Sequence, residues 1–216
     1  ENILPVLMKS IGMKTSQHPP CFPSPANALP NGAELLLDTL LACGVDTVFG
    51  YPGGAALPLY DALYLRPALR HVLVRHEQAA VHAAEGYARS TGRVGVVLVT
   101  SGPGVSNTIT GLLDAHSDAI PVLCISGQVA TGVIGTQAFQ ESDALGMSRP
   151  VTKWNCQLRD ASQTVSAVKQ ALRVAASGKP GPVLLDVPKD VQLQRPTRQT
   201  EVTVPESNPP VAPACR

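Results

Sequence analysis

A doubly wound α/β domain is predicted by the sequence, with a six-stranded, mainly parallel sheet and helices on both of its faces. Short β-branched runs alternate with longer stretches of helical periodicity, which is the pattern of β-α-β units. Strands such as Val96–Val99 are apolar at every position, as a sheet covered on both faces requires. Residues 31–195 hold 17 of the 18 glycines, which tight turns between such elements need.

The predicted elements follow one another along residues 31–195. Asn31 is expected to cap a helix whose leucines recur at helical spacing until Gly44 ends it. The predicted strands are Val45–Phe49, His71–Val74, Val94–Thr100, Val122–Ser126, Thr152–Gln157 and Val183–Val187. The clearest predicted helices are Gln78–Ser90, Val105–Ala115 and Ser162–Ser177.

Proline marks the two ends of the chain. Residues 1–30 hold six of the 20 prolines and residues 196–216 hold five. We therefore expect a proline-rich extension at 1–30, one folded domain at 31–195 and a linker at 196–216. No targeting peptide is expected at the amino terminus, and the tail is typical of an interdomain connection, so the sequence is expected to be a fragment.

Composition excludes several classes of function. Lys and Arg number 17 against 16 Asp and Glu, so the net charge is +1 and neither nucleic acid nor an anionic membrane is an expected partner. No apolar run approaches the roughly 18 residues that cross a bilayer. The five cysteines are widely spaced and form no Cys-x-x-Cys pair, which indicates reduced thiols in the cytoplasm and no zinc site.

Loops at the carboxyl ends of the strands are the candidate site, because ligands of open parallel sheets bind there. Gly50–Gly54 would let a ligand approach backbone N–H groups, although a plain tight turn is the simpler interpretation. Thr100–Gly104 opens a helix and could cradle an anion. Neither the Rossmann glycine spacing nor a Walker lysine is present, so no dinucleotide or P-loop site is predicted.

Glu77 follows the second predicted strand and begins a helix. It could serve only the helix dipole, or it could be a partly buried carboxylate that exchanges a proton with a ligand, and the sequence leaves both interpretations open. His76 and His82 have no third ligand at a metal spacing, so no metal site is expected. The small residues of 79–88 predict a tight interface between subunits.

The long segment 127–147, after the fourth predicted strand, places Phe139 and Gln140 among polar amides. Such residues suit the wall of a substrate pocket, and an ordinary surface loop is the alternative. Residues 94–148 contain no Lys or Arg. This stretch argues for burial and against a nucleic-acid face.

A series of short motifs lies between residues 31 and 192. They are Phe49–Gly54, Arg75–Ala80, Ala84–Arg89, Thr100–Gly104, Gly127–Val129, Ile134–Thr136, Ala138–Glu141, Lys179–Leu184 and Pro188–Asp190. Together, in this order, they resemble the amino-terminal, pyrimidine-binding domain of thiamine diphosphate enzymes, and within that family the acetolactate (acetohydroxyacid) synthase branch. Two positions depart from the family pattern, since Gln137 stands where Asp is common and Ala130 where Pro is common.

The resemblance implies roles for individual residues. Glu77 matches the glutamate that hydrogen-bonds the aminopyrimidine ring of the cofactor and shifts it to the imino tautomer. Gln140 matches an amide that faces cofactor and substrate from the neighbouring subunit, so the implied catalytic residues are Glu77 and Gln140. Phe139 beside it is implied in the substrate pocket. The implied cofactor-binding residues are Tyr51, Pro52, Gly53, Gly54, Glu77 and Gln140.

The activity implied by the resemblance is decarboxylation of pyruvate and condensation with a second 2-oxo acid, pyruvate or 2-oxobutyrate, in branched-chain amino-acid biosynthesis. Thiamine diphosphate serves as electron sink. The family also implies Mg²⁺, FAD, a homodimer or higher oligomer with the cofactor at the subunit interface, and a regulatory small subunit.

This chain is expected to carry the pyrimidine half of that site and to be inactive alone, because it contains no Gly-Asp-Gly triplet to anchor magnesium and diphosphate. The linker at 196–216 would then lead toward a middle domain. Two alternatives stay open. One is a separate pyrimidine subunit of a two-chain oxo-acid decarboxylase, and the other is a non-catalytic dimerising module.

Overall fold

The computed structural model describes residues 29–197 and residue 202. Its strands are β1 Thr47–Gly50, β2 Arg70–Leu73, β3 Gly95–Val99, β4 Val122–Gln128, β5 Trp154–Gln157 and β6 Val183–Pro188. They form one sheet in the order β2-β1-β3-β4-β6-β5, and every neighbouring pair is parallel. The predicted doubly wound α/β class is confirmed.

Helices cover both faces of the sheet. They are α1 Gly32–Ala42, α2 Leu57–Tyr64, α3 Glu77–Thr91, α4 Pro103–Ser106, α5 Ile109–Ser117, α6 Ala144–Ser148, α7 Thr164–Ala176 and α8 Lys189–Leu193. Short 3-10 turns occur at Gly54–Ala56, Thr131–Val133, Arg149–Val151 and Ala161–Gln163. Within the described residues, none of the helices has both the length and the apolar character needed to span a bilayer.

The central strands feed two separate hydrophobic cores. Val96 and Leu98 of β3 pack in the core that includes the leucines of α1, whereas Val97 and Val99 pack in the core that includes α3 and α5. All four side chains are fully buried, and burying one aliphatic side chain of this size contributes about 1.5–3 kcal/mol. The unbroken apolar run of this strand therefore results from the two covered faces.

The start of the domain matches its prediction. Asn31 and Glu34 form a capping box, in which Glu34 N donates to Asn31 Oδ1 at 2.9 Å and Asn31 N donates to Glu34 Oε2 at 2.7 Å. Gly44 follows α1 with a φ of 82°. Strand β1 begins at Thr47 instead of the predicted Val45, because Val45 N still donates to Leu40 O and closes the end of the helix.

One predicted helix is two helices. The helix expected over Val105–Ala115 is interrupted at Asn107, between α4 and α5. Thr108 Oγ1 donates to Val105 O at 2.6 Å inside this break. The interruption turns the Asn107 side chain toward Glu77, so the irregularity belongs to the candidate site.

The small residues of α3 serve the interior of the chain more than the predicted interface. Ala80, Ala84 and Ala88 are buried, and a Cβ added at Gly95 of β3 would lie 2.2 Å from Ala84 O. The helix and the strand therefore approach each other too closely for larger side chains. Ala79 is exposed on the opposite face of the helix and stays available to a partner.

The domain boundaries stay predictions. The proline-rich extension and the linker lie outside the described residues, except for residues 29, 30, 196, 197 and 202.

Candidate active site

The candidate site lies where the strand order reverses. Strands β2 and β3 flank β1 on opposite sides, so the connections that leave β1 and β3 diverge and open a crevice at their carboxyl ends. The segments Gly50–Gly54 and Thr100–Gly104 meet at this crevice, as the sequence predicts.

Thr100 joins the two glycine-rich segments. A Cβ added at Gly53 would lie 2.4 Å from Thr100 Cγ2, and one added at Gly104 would lie 2.7 Å from the same atom. Ala55 N donates to Thr100 Oγ1 at 3.2 Å. Gly53 has an extended backbone, with a φ of −169°, so glycine is needed here for space and not for conformation.

The neighbouring positions of the first segment face open space. A Cβ added at Gly54 would meet no atom within 4 Å, and Tyr51 is 40% exposed. Pro52 is also exposed. These three residues are therefore accessible to a ligand, whereas Gly53 is packed against Thr100.

Glu77 is buried at the edge of this crevice. It is the first residue of α3 and only 7% exposed, and His76 provides the N-cap by accepting from Gln78 N. Asn107 Nδ2 donates to Glu77 Oε2 at 2.9 Å and is the one side-chain donor to this carboxylate among residues 29–197. Oε1 lies 3.7 Å from the position that a Cβ on Gly104 would take.

Both interpretations of Glu77 stay predictions. Burial of a carboxylate is unfavourable because its charge loses hydration, and an interaction with the helix dipole offsets this by at most about 2 kcal/mol. Here one oxygen is oriented by an amide and the other is beside a glycine. The geometry favours a carboxylate that exchanges a proton with a ligand.

The Tyr60 side chain packs against Leu98 and Gly50, at the ends of β3 and β1. Its hydroxyl donates to Leu98 O at 3.0 Å, and a Cβ added at Gly50 would lie 2.6 Å from that hydroxyl. Burial, followed by the negative charge of Glu77, raises the pKa of the Tyr60 phenol well above its ordinary value. Tyr60 therefore stays protonated and acts as a structural donor.

The loop at 129–142 reaches the same end of the sheet. Gln140 has a φ of 60°, and its carbonyl oxygen would lie 2.6 Å from a Cβ added at Gly102. The structure thus brings the Gln140 backbone against the Thr100–Gly104 turn of its own chain. Phe139 is 87% exposed, so its place in a substrate pocket stays a prediction. Gln137 also has a φ of 60°, a conformation that Asp adopts more readily than Gln.

Two site residues were missed by the sequence-based predictions. The sequence analysis gives no role to Asn107, although a polar residue inside a predicted helix is a usable signal. Asp186 lies within the predicted strand Val183–Val187, where a carboxylate among apolar residues is the signal. In the structure Asn107 follows α4, and Asp186 lies within β6.

Asp186 is fully buried in β6, with a hydrogen-bond donor for each oxygen. Ser126 Oγ donates to Oδ1 at 2.6 Å, while Gln157 Nε2 and Gln128 Nε2 donate to Oδ2 at 2.8 and 3.3 Å. Burial raises the pKa of Asp186 to about 6, although the three hydrogen bonds oppose this, and the charge of Asp143 raises it further.

The raised pKa predicts how stability depends on pH. The fold favours the protonated Asp186, so this residue's favourable contribution is full below about pH 4 and is lost as the pH rises through about 6. Asp186→Asn removes this dependence. We expect the variant to gain, relative to wild type, on the order of 3 kcal/mol in free energy of unfolding between about pH 4 and 7. Urea unfolding across this range measures the difference, and parallel pH profiles for the two proteins would contradict it.

A charged cluster lies on the outer side of α3. His82 Nδ1 is 3.2 Å from Glu85 Oε2 and 3.5 Å from Asp114 Oδ2, and the buried Glu85 carboxyl has a raised pKa because of desolvation. The sequence indicates no third metal ligand beside His76 and His82, whereas the fold brings Glu85 and Asp114 close to His82. The imidazole contacts both carboxylates.

The site fits the aminopyrimidine ring of thiamine diphosphate. A planar ring needs a shallow opening that side chains do not fill, and Gly54 leaves such an opening in the turn after β1. The carboxylate oxygen that Asn107 does not engage can serve a ring nitrogen. Glu77, Gly53 and Gly54 are therefore the residues that would hold the ring.

Comparison with known proteins gives the same family. The model of the thiamine pyrophosphate enzyme N-terminal TPP binding domain matches residues 30–147. The acetolactate synthase large subunit of Haemophilus influenzae is 55% identical over 160 residues, covering 74% of this chain and 28% of the relative.

Two further relatives have similar names. The acetolactate synthase large subunit of Lactococcus lactis is 49% identical over 180 residues, covering 83% of this chain and 31% of the relative. The acetolactate synthase isozyme 3 large subunit of Escherichia coli is 55% identical over 161 residues, covering 74% of this chain and 28% of the relative. The chain thus spans about three tenths of the length of these curated relatives. It belongs to the thiamine pyrophosphate enzyme family, through the N-terminal TPP binding domain.

Proposed function

We propose that this chain supplies the pyrimidine-binding half of an acetolactate synthase active site, with Glu77 as its proton-relay residue. The observation that carries the proposal is the buried Glu77 carboxylate beside the glycine-lined crevice between β1 and β3. Identities of 49 and 55% to acetolactate synthase large subunits support the choice within the family.

Each residue has a defined task in this proposal. Asn107 holds Glu77 Oε2, so that Oε1 can give a proton to a ring nitrogen and take it back. Tyr51, Pro52, Gly53 and Gly54 keep the first turn open to the ring. When bound, thiamine diphosphate supplies the electron sink for decarboxylation of a 2-oxo acid.

The substrate side is assigned to the 129–142 loop. The Gln140 amide would orient the substrate instead of transferring a proton, since an amide does not titrate in this range. The substrates would be pyruvate with a second molecule of pyruvate or 2-oxobutyrate. The exposed Phe139 would line the pocket only after a partner covers it.

The remaining parts of the enzyme would come from elsewhere in a complete assembly. We propose that another subunit supplies the magnesium and diphosphate site across a homodimer interface, that FAD binds outside the described residues, and that a regulatory small subunit can bind. The free cysteines Cys43, Cys124 and Cys156 support a cytoplasmic location.

The two alternatives are less well supported. The named relatives are acetolactate synthase large subunits, which argues against a subunit of a two-chain decarboxylase. A non-catalytic dimerising module would have no need for a buried Glu77 held by Asn107.

A chimera tests the proposal. The segment of the Escherichia coli isozyme 3 large subunit that matches this chain would be replaced by residues 30–192 of this chain. We expect the chimera to form acetolactate from pyruvate when supplied with thiamine diphosphate, Mg²⁺ and FAD. The 216-residue chain alone should be inactive and should bind thiamine diphosphate weakly, because the pyrimidine contacts lack the charge-assisted bonds of a diphosphate site.

Two outcomes would contradict this proposal. One is a folded chimera that binds its cofactors and yet forms no acetolactate. The other is a dissociation constant near micromolar for thiamine diphosphate on the 216-residue chain alone, measured by titration calorimetry, since that would mean a complete cofactor site within this chain.

A further inference from the structure

A single buried amide joins the two ends of the loop that carries Phe139 and Gln140. Gln128, the last residue of β4, is 1% exposed. Its Oε1 accepts from Val129 N at 2.9 Å, and its Nε2 donates to Ser142 O at 3.0 Å. The loop 129–142 is thus tied at both ends to one side chain.

Asp186 determines which way that amide points. Above its pKa of about 6, Asp186 is an ionised carboxylate that only accepts hydrogen bonds, so its Oδ2 must face the Nε2 hydrogens of Gln128 and not its Oε1. With Nε2 directed toward Asp186 and Ser142, Oε1 is left for Val129 N. Reversing the amide would break the bonds at both ends of the loop.

Asp186 itself is held by the sheet. Ser126 and Gln157 are its register neighbours on β4 and β5, and both donate to its carboxylate. The carboxylate therefore has a fixed position in the fully buried centre of the sheet. No residue of the loop 129–142 is buried, and its other side-chain bonds are partly or fully exposed: Asp190 accepts from Thr131, and Glu141 accepts from Gly135 N and Ala138 N.

We propose that Asp186 is a positioning residue that acts through Gln128 to fix the 129–142 loop against the Thr100–Gly104 turn. Its functional consequence rests on the function proposed above. Because the Gln140 carbonyl contacts Gly102, an untied loop moves Gln140 relative to Glu77. A misplacement of about 1 Å at a catalytic centre can cost on the order of 100-fold in rate.

Hydrogen exchange followed by mass spectrometry tests the positioning directly on the 216-residue chain, without any cofactor. We expect amides in 129–142 to exchange roughly tenfold faster in Gln128→Leu and in Asp186→Leu, which removes the acceptor of Gln128, than in wild type, because local opening becomes easier. Gln157→Leu is the matched control. It removes a bond of the same kind to the same Asp186 oxygen without contacting the loop, so it should leave exchange in 129–142 unchanged.

Amides of β3 report whether the fold is intact. Unchanged loop exchange in Gln128→Leu or in Asp186→Leu would overturn the proposal, as would equal acceleration in Gln157→Leu. If exchange in Asp186→Leu rises in β3 as much as in the loop, the proposal is also overturned, because the carboxylate would then support the whole fold instead of the loop.

The chimera separates this inference from the proposed function. There Gln128→Leu should lower kcat by roughly tenfold at a temperature where the variant is fully folded, while Gln157→Leu keeps the wild-type kcat. An inactive unmutated chimera with the expected exchange pattern would refute the proposed function and leave the positioning role standing. Wild-type kcat in Gln128→Leu would refute the functional consequence of the positioning.

Discussion

Glu77→Gln should lower the rate of acetolactate formation by the chimera by roughly 10²- to 10⁴-fold, the range typical of lost general acid-base catalysis. The amide has nearly the shape of the carboxylate and can still contact Asn107, so the fold and most of the cofactor affinity should persist. An amide can donate a hydrogen bond but cannot take up and return the proton. Steady-state rates and titration calorimetry on the same preparation measure both quantities.

Glu34→Gln is the matched control for Glu77→Gln. Glu34 is also an acidic residue in the first turn of a helix, and its carboxylate accepts from Asn31 N in a capping box far from the crevice. Losing it should cost up to about 1 kcal/mol of stability and leave the rate unchanged. If both substitutions change only stability, Glu77 is a helix-terminal acid and the proposed mechanism is wrong.

Gly53→Ala should destabilise the domain by about 1–3 kcal/mol, the usual cost of forcing an additional group into a packed site. The added methyl group would lie 2.4 Å from Thr100 Cγ2, so the first turn must move away from Thr100. Its backbone conformation suits alanine, which leaves the steric clash as the cause. Urea unfolding of the 216-residue chain measures the loss.

Gly54→Ala provides the comparison within the same turn. Its methyl group would meet no atom within 4 Å, so stability should change by less than about 0.5 kcal/mol. The methyl group would nevertheless enter the opening assigned to the pyrimidine ring, and the chimera should bind thiamine diphosphate less tightly. Equal stability losses in the two variants would contradict the packing account, and unchanged cofactor affinity in Gly54→Ala would remove Gly54 from the binding site.

The fold could be predicted because its signals are local. Strand β3 is apolar at all positions, and the capping box at Asn31 needs only residues three apart. The errors in the predicted elements occur where contacts between residues distant in sequence determine the local structure. The helix predicted over 105–115 is interrupted at Asn107, whose side chain contacts Glu77, and the alanines of α3 are small because β3 approaches them at Gly95.

Part of the site was also predictable from signals that are local in the sequence. Glu77 and the two glycine segments could be placed at the carboxyl ends of strands from the sequence, and the structure brings them together. Asp186 could not be assigned, since its donors come from β4 and β5 and meet only in the folded sheet. The roles of Tyr51, Pro52, Phe139 and Gln140 in binding stay predictions, because they need a ligand or a partner subunit.

Exchange of the thiazolium proton of bound thiamine diphosphate into heavy water, followed by NMR, tests the role of Glu77 most directly. It observes the proton relay without decarboxylation or product release. In the chimera, the account predicts that Glu77→Gln slows this exchange by roughly 10²- to 10⁴-fold while Glu34→Gln does not. An exchange rate in Glu77→Gln that stays within a few-fold of the unmutated chimera would contradict the assignment of Glu77 as the proton-relay residue.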